Sequence, residues 1–128
     1  MSDTVAITAR RLKRLVGVAY GHGWNWGSAT DDWSLQLRPR LGVHARTLDN
    51  SFAVNLLAVT PQEAGSGLGQ QLLNTLLSHD NHSVAWLQTT DLATPARRLY
   101  ERSGWVALGH GPDAPNGAPG LVMVHYRN

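Results

Sequence analysis

A short segment, Ala64-Gly65-Ser66-Gly67-Leu68-Gly69, constrains what this chain can fold into more than any other. Before it, Phe52 to Val59 is a mostly apolar run that reads as a buried strand. After it, Leu68, Leu72, Leu73, Leu76 and Leu77 fall on one face of a helix. The segment is therefore a strand, a glycine-rich turn and a helix. Glycines let the backbone turn tightly and bring its N–H groups close to a ligand. The helix adds unpaired N–H groups and the positive end of its dipole, which suits a phosphate or diphosphate. Taken alone, the segment fits a plain structural loop equally well. Two phosphate-binding patterns are excluded by spacing. The dinucleotide turn needs Gly-x-Gly-x-x-Gly, and the nucleoside-triphosphate loop ends in Gly-Lys-Ser/Thr, where this chain has Gly69-Gln70-Gln71.

The spacing resembles the acetyl-CoA loop of the GCN5-related N-acetyltransferases. Their pattern is an apolar strand ending Leu-Ala-Val-x-Pro, then Arg/Gln-Gly-x-Gly-x-Gly/Ala, then a leucine-rich helix. Here it stands as Leu57-Ala58-Val59-Thr60-Pro61, the glycine segment, and Leu72-Leu73. A second motif follows in order, Ala96-Arg97-Arg98-Leu99-Tyr100-Glu101-Arg102-Ser103-Gly104-Trp105, similar to the family's Ala-x-x-Leu-Tyr-x-x-x-Gly-Phe. The resemblance spans about residues 5–127, with 22–50 poorly matched. It implies an α/β fold: a mixed, mostly antiparallel central sheet, a parallel strand pair splayed at the CoA site, and two main helices. The chain starts at what resembles the family's second strand, without the usual first strand and two helices. A wall of the acceptor site is then missing and a sheet face or edge is exposed, which predicts a homodimer.

The 128 residues suit a single domain, 1–128, with one core. No apolar stretch approaches the roughly 20 residues needed to cross a bilayer. The start, Met1 to Thr4, carries no apolar signal segment, so the expected compartment is the cytoplasm. Cysteine is absent, which excludes disulfides and thiolate chemistry. The net charge of +2 suits nucleic acid and equally CoA, which carries a diphosphate and a 3′-phosphate, and nucleic acid is the weaker reading. The one dense cluster, Arg10-Arg11-Leu12-Lys13-Arg14, reads as the solvated tip of a hairpin joining strands at 4–9 and 15–20. No Gly, Asn or Pro marks that turn.

Residues 21–50 read mainly as loop, with a helical turn at 31–37 and with Pro39 and Gly42 breaking any longer element. Further strands are expected at 51–60, 84–89, 105–108 and 121–126. Helices are expected at 68–78 and from Pro95, with Thr94 as N-cap and Gly104 as the terminating residue. His79 and His82 lack a third ligand in register and read as solvent-facing histidines, so no metal site is expected.

The resemblance implies that N–H groups of Ala64, Gly65, Ser66, Gly67, Leu68 and Gly69 hold the diphosphate of acetyl-CoA. It also implies that Leu57, Ala58 and Val59 pair with the pantetheine arm, and that a bulge or splay there frees an oxyanion-binding N–H. Tyr100 matches the tyrosine that protonates the departing thiolate; its alternative role is packing. The resemblance places Trp24, Trp26 and Trp33 near an acceptor pocket they could line; they read equally as covering exposed apolar surface or packing in the core. The family's loop-head Arg or Gln is Ala64, and its Glu before Leu-Ala-Val is Leu56. No general base is assigned; His22, His44, Asp31 and Asp32 are candidates. The expected function is acetyl transfer from acetyl-CoA to an amine by direct attack. The alternatives are a catalytically impaired acyl-CoA-binding remnant of the same fold and a basic nucleic-acid-binding or interaction module.

Overall fold

Alternating burial along the strands gives one sheet an apolar surface on each face. The computed structural model describes Thr4 to Arg127; the stretch Met1–Asp3, on which the expectation about a signal segment rests, lies outside the described residues. Strands β1 (Val5–Arg11), β2 (Arg14–Trp24), β3 (Ser51–Val59), β4 (Val84–Thr90), β5 (Val106–Gly111) and β6 (Gly120–Tyr126) form one sheet in the order β1-β2-β3-β4-β6-β5. All neighbouring pairs are antiparallel except β3 and β4, which run parallel. This is the mixed, mostly antiparallel sheet with one parallel pair that the resemblance implied.

The first face is covered by the leucine helix α2 (Leu68–Ser78) and by α3 (Pro95–Arg102). Leu72, Leu73 and Leu76 pack there with Phe52, Val54, Leu87, Tyr100, Trp105 and Met123. Thr94 caps α3 by accepting from the Arg97 N–H at 3.1 Å, Pro95 opens the helix, and Gly104 follows its end at φ +88°.

The second face carries the chief departures from expectation. A third helix, α1 (Asp32–Leu41), runs through Pro39 and stops at Gly42, and a 3-10 stretch continues over Gly42–Leu48. Pro39 is tolerated because it costs a single bond near the helix end, to the carbonyl of Leu35. Asp31 starts the helix as its N-cap. Leu37, Leu41 and Leu48 pack on this face with Trp24, Trp86, Val122 and Val124. The helix approaches β5 closely because a Cβ at Gly109 or Gly111 would lie 3.1 Å from the side chains of Leu41 and Leu37. Residues 25–50, within the part that matched the family least, therefore cover this face where it is formed by β4, β6 and β5. Tyr20 and Leu56 remain 40% exposed on the rest of that face, and β1 and β5 stand at the sheet edges.

The β1–β2 hairpin turns on Leu12 and Lys13, both in the left-handed region (φ +52° and +69°), the shape of a two-residue hairpin turn made without glycine. Its tip is not wholly solvated. Arg11 donates to Glu63 from Nε at 2.8 Å and from its terminal nitrogen at 2.7 Å, tying the hairpin to the head of the glycine segment. His82 is half-buried rather than solvent-facing, with Nδ1 2.7 Å from Asp80, which also holds Arg127. Among the described residues no helix is long and apolar enough to cross a membrane.

Candidate active site

The glycine turn is held from below by its own residues. The Ala64 N–H donates to Pro61 and the Ser66 N–H to Glu63, each at 3.1 Å, while the Ser66 hydroxyl donates to the Glu63 carbonyl at 2.6 Å. The Leu68 N–H reaches Ser66 Oγ at 3.4 Å. These bonds turn the amides of Ala64 and Ser66 inward. Among the described residues, the N–H groups of Gly65, Gly67, Gly69 and Gln70 have no acceptor in the protein. Four amides rather than six thus remain to meet an anion, Gln70 joining them from the first turn of α2. Gly65 (φ +79°) and Gly67 (φ +88°) hold the left-handed conformation that exposes them. The hydrogen bonds of Arg11 hold the nearby Glu63 carboxyl below the usual carboxylate range, and the guanidinium offsets its charge.

Beside these amides lies a cleft of about 480 Å³ between β3, α2 and α3, lined by Leu57 and Val59, by Gly65, Gly67 and Gly69, and by Tyr100. Arg98 and Arg102 bring positive charge to its rim. Tyr100 is 7% exposed, its ring 6.0 Å from that of Trp105. Burial raises its pKa above the ordinary phenol value, so the hydroxyl is protonated at neutral pH and able to donate.

Two irregularities in β3 open the sheet next to this cleft. Opposite β2, the register skips a residue: Leu56 faces Tyr20 and Val54 faces Gly21, which leaves Asn55 as a bulge. Opposite β4, pairing stops after Phe52–Ala85 and Ala53–Trp86. Beyond Ala53 the β4-facing edge of β3 has no ladder partner, so its backbone groups can take up an extended ligand as a further strand. The bulge also breaks strand alternation. Asn55 lines the opened side.

That opened side is a larger cavity of about 700 Å³ at the other mouth of the splay. Its walls include His22 and Trp24 of β2, Asp31, Trp33 and Ser34 at the start of α1, and Trp86, Gln88, Thr89 and Thr90 of β4. Ala96 lines this cavity and the cleft alike, so the two spaces adjoin at the start of α3. Asp91 anchors that region by accepting from Arg97 at 2.5 Å and pairing with His110 at 2.7 Å, with its carboxyl held below the usual range chiefly by the histidine. Asp31 accepts from the Ser34 hydroxyl at 2.6 Å and the Ser34 N–H at 3.1 Å, bonds that lower its pKa.

The sequence-expected residues divide accordingly. Leu57, Val59, Ala64, Gly65, Gly67, Gly69 and Tyr100 line the cleft; Ala58, Ser66 and Leu68 belong to the same strand and turn without lining it. Trp24 and Trp33 line the cavity, and Trp26 does not. Trp26 is buried, its indole N–H donating to the Ala45 carbonyl at 2.7 Å and its ring 4.3 Å from Trp24. Of the base candidates, His22 and Asp31 line the cavity; His44 and Asp32 are exposed outside it. The sequence reading gave no site role to Trp86, Gln88 or the two arginines, and none to Asn55, whose side chain cannot act as a base. The signal available was the polar run Gln88-Thr89-Thr90 at the carboxyl end of a parallel strand, where open α/β sheets hold ligands.

Comparison with known proteins agrees with this geometry. Residues 13–107 match the family model described as an acetyltransferase (GNAT) domain. A GCN5-like protein acetyltransferase of Mycobacterium tuberculosis is 31% identical over 124 positions, covering 86% of this chain and 58% of that protein. The chain thus spans somewhat over half the length of this relative. In fold it is similar to nourseothricin acetyltransferase (TM-score 0.71, 19% identity, 98% of this chain and 66% of that one). It is similar also to NAA60 of Arabidopsis thaliana, solved with a bisubstrate analogue (TM-score 0.68, 19% identity, 98% and 77%). With the glycine turn, the splayed strands and the family match in agreement, the chain belongs to the GNAT acetyltransferase family.

Proposed function

We propose that this chain transfers an acetyl group from acetyl-CoA to a primary amine by direct attack. The observation that carries the reading is the pair of spaces adjoining at Ala96 across a splayed strand pair, one floored by unpaired amides and the other walled by aromatic rings. The amides of Gly65, Gly67, Gly69 and Gln70 would hold the diphosphate, with Arg98 and Arg102 as further phosphate partners. The free edge of β3 at Leu57–Val59 would pair with the amides of the pantetheine arm.

The amine enters from the larger cavity, sheds its proton and attacks the thioester carbonyl carbon. A carbon–nitrogen bond forms, the oxygen takes up negative charge, and a backbone N–H at the Asn55 bulge stabilises it. The carbon–sulfur bond then breaks, Tyr100 gives its proton to the leaving sulfur, and the second proton leaves the acylated nitrogen for water, from which the phenolate is reprotonated. Proton removal from the amine falls to His22 or water. Asp31 is the poorer base because its hydrogen bonds favour the carboxylate.

A second reading, CoA binding without turnover, is favoured by one feature: Asn55 and Leu56 stand at the bulge, and neither side chain can accept a proton. Thiol release from acetyl-CoA in the presence of an amine panel decides between them. Turnover above the amine-free rate establishes the transferase; a CoA-induced thermal shift without turnover leaves the binding reading alone.

A further inference from the structure

Four of the five tryptophans form one aromatic cluster that ends in the larger cavity. Trp26 packs edge-on against Trp24, and Trp24 packs edge-on against Trp86, with ring centroids 5.2 Å apart. Trp33 lies near-parallel to Trp86, 13° between planes and 6.3 Å between centroids. Trp26 closes the buried end, while Trp24, Trp33 and Trp86 wall the cavity. Trp33 keeps 37% of its surface exposed, unusual for an indole already part of a cluster.

The charges are one-sided. Among the described residues that line this cavity, Asp31 is the one carboxylate, and no lysine or arginine takes part. Each Asp31 oxygen has one bond from Ser34 and retains accepting capacity. Gln88 is part of the same wall. Its amide nitrogen donates to the Pro112 carbonyl at 2.9 Å, which fixes the orientation and leaves Oε1 buried without a partner. Trp86 Nε1 and His22 Nδ1 are likewise buried and unpaired. Unsatisfied groups of this kind are costly, and three of them occur in the wall of one cavity.

From this wall we infer that the cavity selects a monocationic primary amine on an aromatic or compact apolar body, with the rings taking the body and Asp31 facing the positive charge. Phosphorylated and carboxylate-rich acceptors meet no cation there. Long polycationic acceptors meet one carboxylate and a wall of indoles. The assignment rests on the reading of this cavity as the acceptor side.

Calorimetric titration with 2-phenylethylamine, set against 2-phenylethanol and putrescine, tests it without requiring turnover. The expected result is saturable binding of 2-phenylethylamine at least tenfold tighter than either comparator. Asp31→Asn keeps a good N-cap and should weaken that binding about tenfold, the loss of one charge-assisted hydrogen bond. Trp33→Ala, at a half-exposed ring, should weaken it similarly. Both variants should retain the wild-type thermal shift with CoA. Binding that persists in a protein without acetyl transfer to any amine would overturn the catalytic reading and leave this assignment standing. Equal binding of the alcohol and the amine, or turnover of another amine unaffected by either variant, would overturn this assignment and leave the transferase standing.

Discussion

Gly67→Ala separates the cost of the turn from its use. Gly67 sits at φ +88°, and a Cβ built there meets nothing within 4 Å, so overlap contributes nothing to the change. What remains is backbone strain, about 1–2 kcal/mol for an L-residue in the left-handed region. Alanine also restricts the unfolded chain, which returns about 0.4–1 kcal/mol. The net is a loss of about 1 kcal/mol. With an unfolding entropy of about 2.1 cal/mol/K per residue over this length, that lowers the melting temperature by about 4 °C. The second effect is on ligand. If the Gly67 amide belongs to the diphosphate cradle, relief of strain will rotate it, and one hydrogen bond to a charged group, about 1.5–3 kcal/mol, is lost. CoA should bind about 10- to 150-fold more weakly by calorimetry. Gly117 supplies the control: it too has a left-handed φ (+85°) and open space around a Cβ, but it lies in the loop between β5 and β6. Gly117→Ala should melt about as early as Gly67→Ala and bind CoA like the wild type. Wild-type CoA affinity in Gly67→Ala, with the expected fall in melting temperature, would refute the cradle.

Three further outcomes follow from the same geometry. Tyr100→Phe should lower kcat while leaving CoA affinity within about twofold, since the ring and its packing on Trp105 are kept; equal losses in both would assign Tyr100 to packing. Thr94→Ala removes the cap of α3 and should cost about 1 kcal/mol in urea unfolding; an unchanged midpoint would show that the Asp91 contacts suffice to start that helix. Asp31 titrates below its ordinary value because Ser34 hydrogen-bonds its carboxylate. Its contribution is present above the unfolded-state pKa and is lost as pH falls through the folded one, so α1 should loosen in acid. Tryptophan fluorescence between pH 5 and pH 2 reads this through Trp33. Asp31→Asn should abolish the part of the transition that precedes global unfolding, and persistence of that part would assign it to another carboxylate.

Most of the framework was legible because each element carries its own boundary chemistry. The leucines at 68–77 have a helical period, Thr94-Pro95 and Gly104 bracket α3, and Pro61 ends the central strand, so a local reading suffices. Residues 25–50 were illegible for the opposite reason. Pro39 and Gly42 argue against a helix locally, and α1 persists because Leu37 and Leu41 are buried against Gly109 and Gly111, some seventy residues downstream. No short-range rule reports that partnership. The tryptophans in and beside this region show the same limit: Trp24, Trp26 and Trp33 look alike in sequence, yet one hydrogen bond to Ala45 seats Trp26 in the core while the other two reach the cavity.

The bulge at Asn55 is the most consequential of these non-local features. A strand read as strictly alternating places residues 52, 54, 56 and 58 on one face. With one residue inserted, Phe52 and Val54 share their face with Leu57 and Val59 instead. The apolar pattern itself contains the slip, because a regular strand would have put Leu56 rather than Leu57 against the leucine helix. Leu56 is 40% exposed, an expensive place for a leucine unless the register is set by something else. What sets it is the need to part β3 from β4 after two paired residues while β3 stays joined to β2 along its whole length. The bulge supplies the extra twist that lets one edge remain paired as the other opens. Deleting Asn55 should therefore close the splay and restore alternation, and CoA binding should fall with amine binding. A deletion variant that folds and binds CoA as before would show that the opening of the sheet does not depend on the bulge.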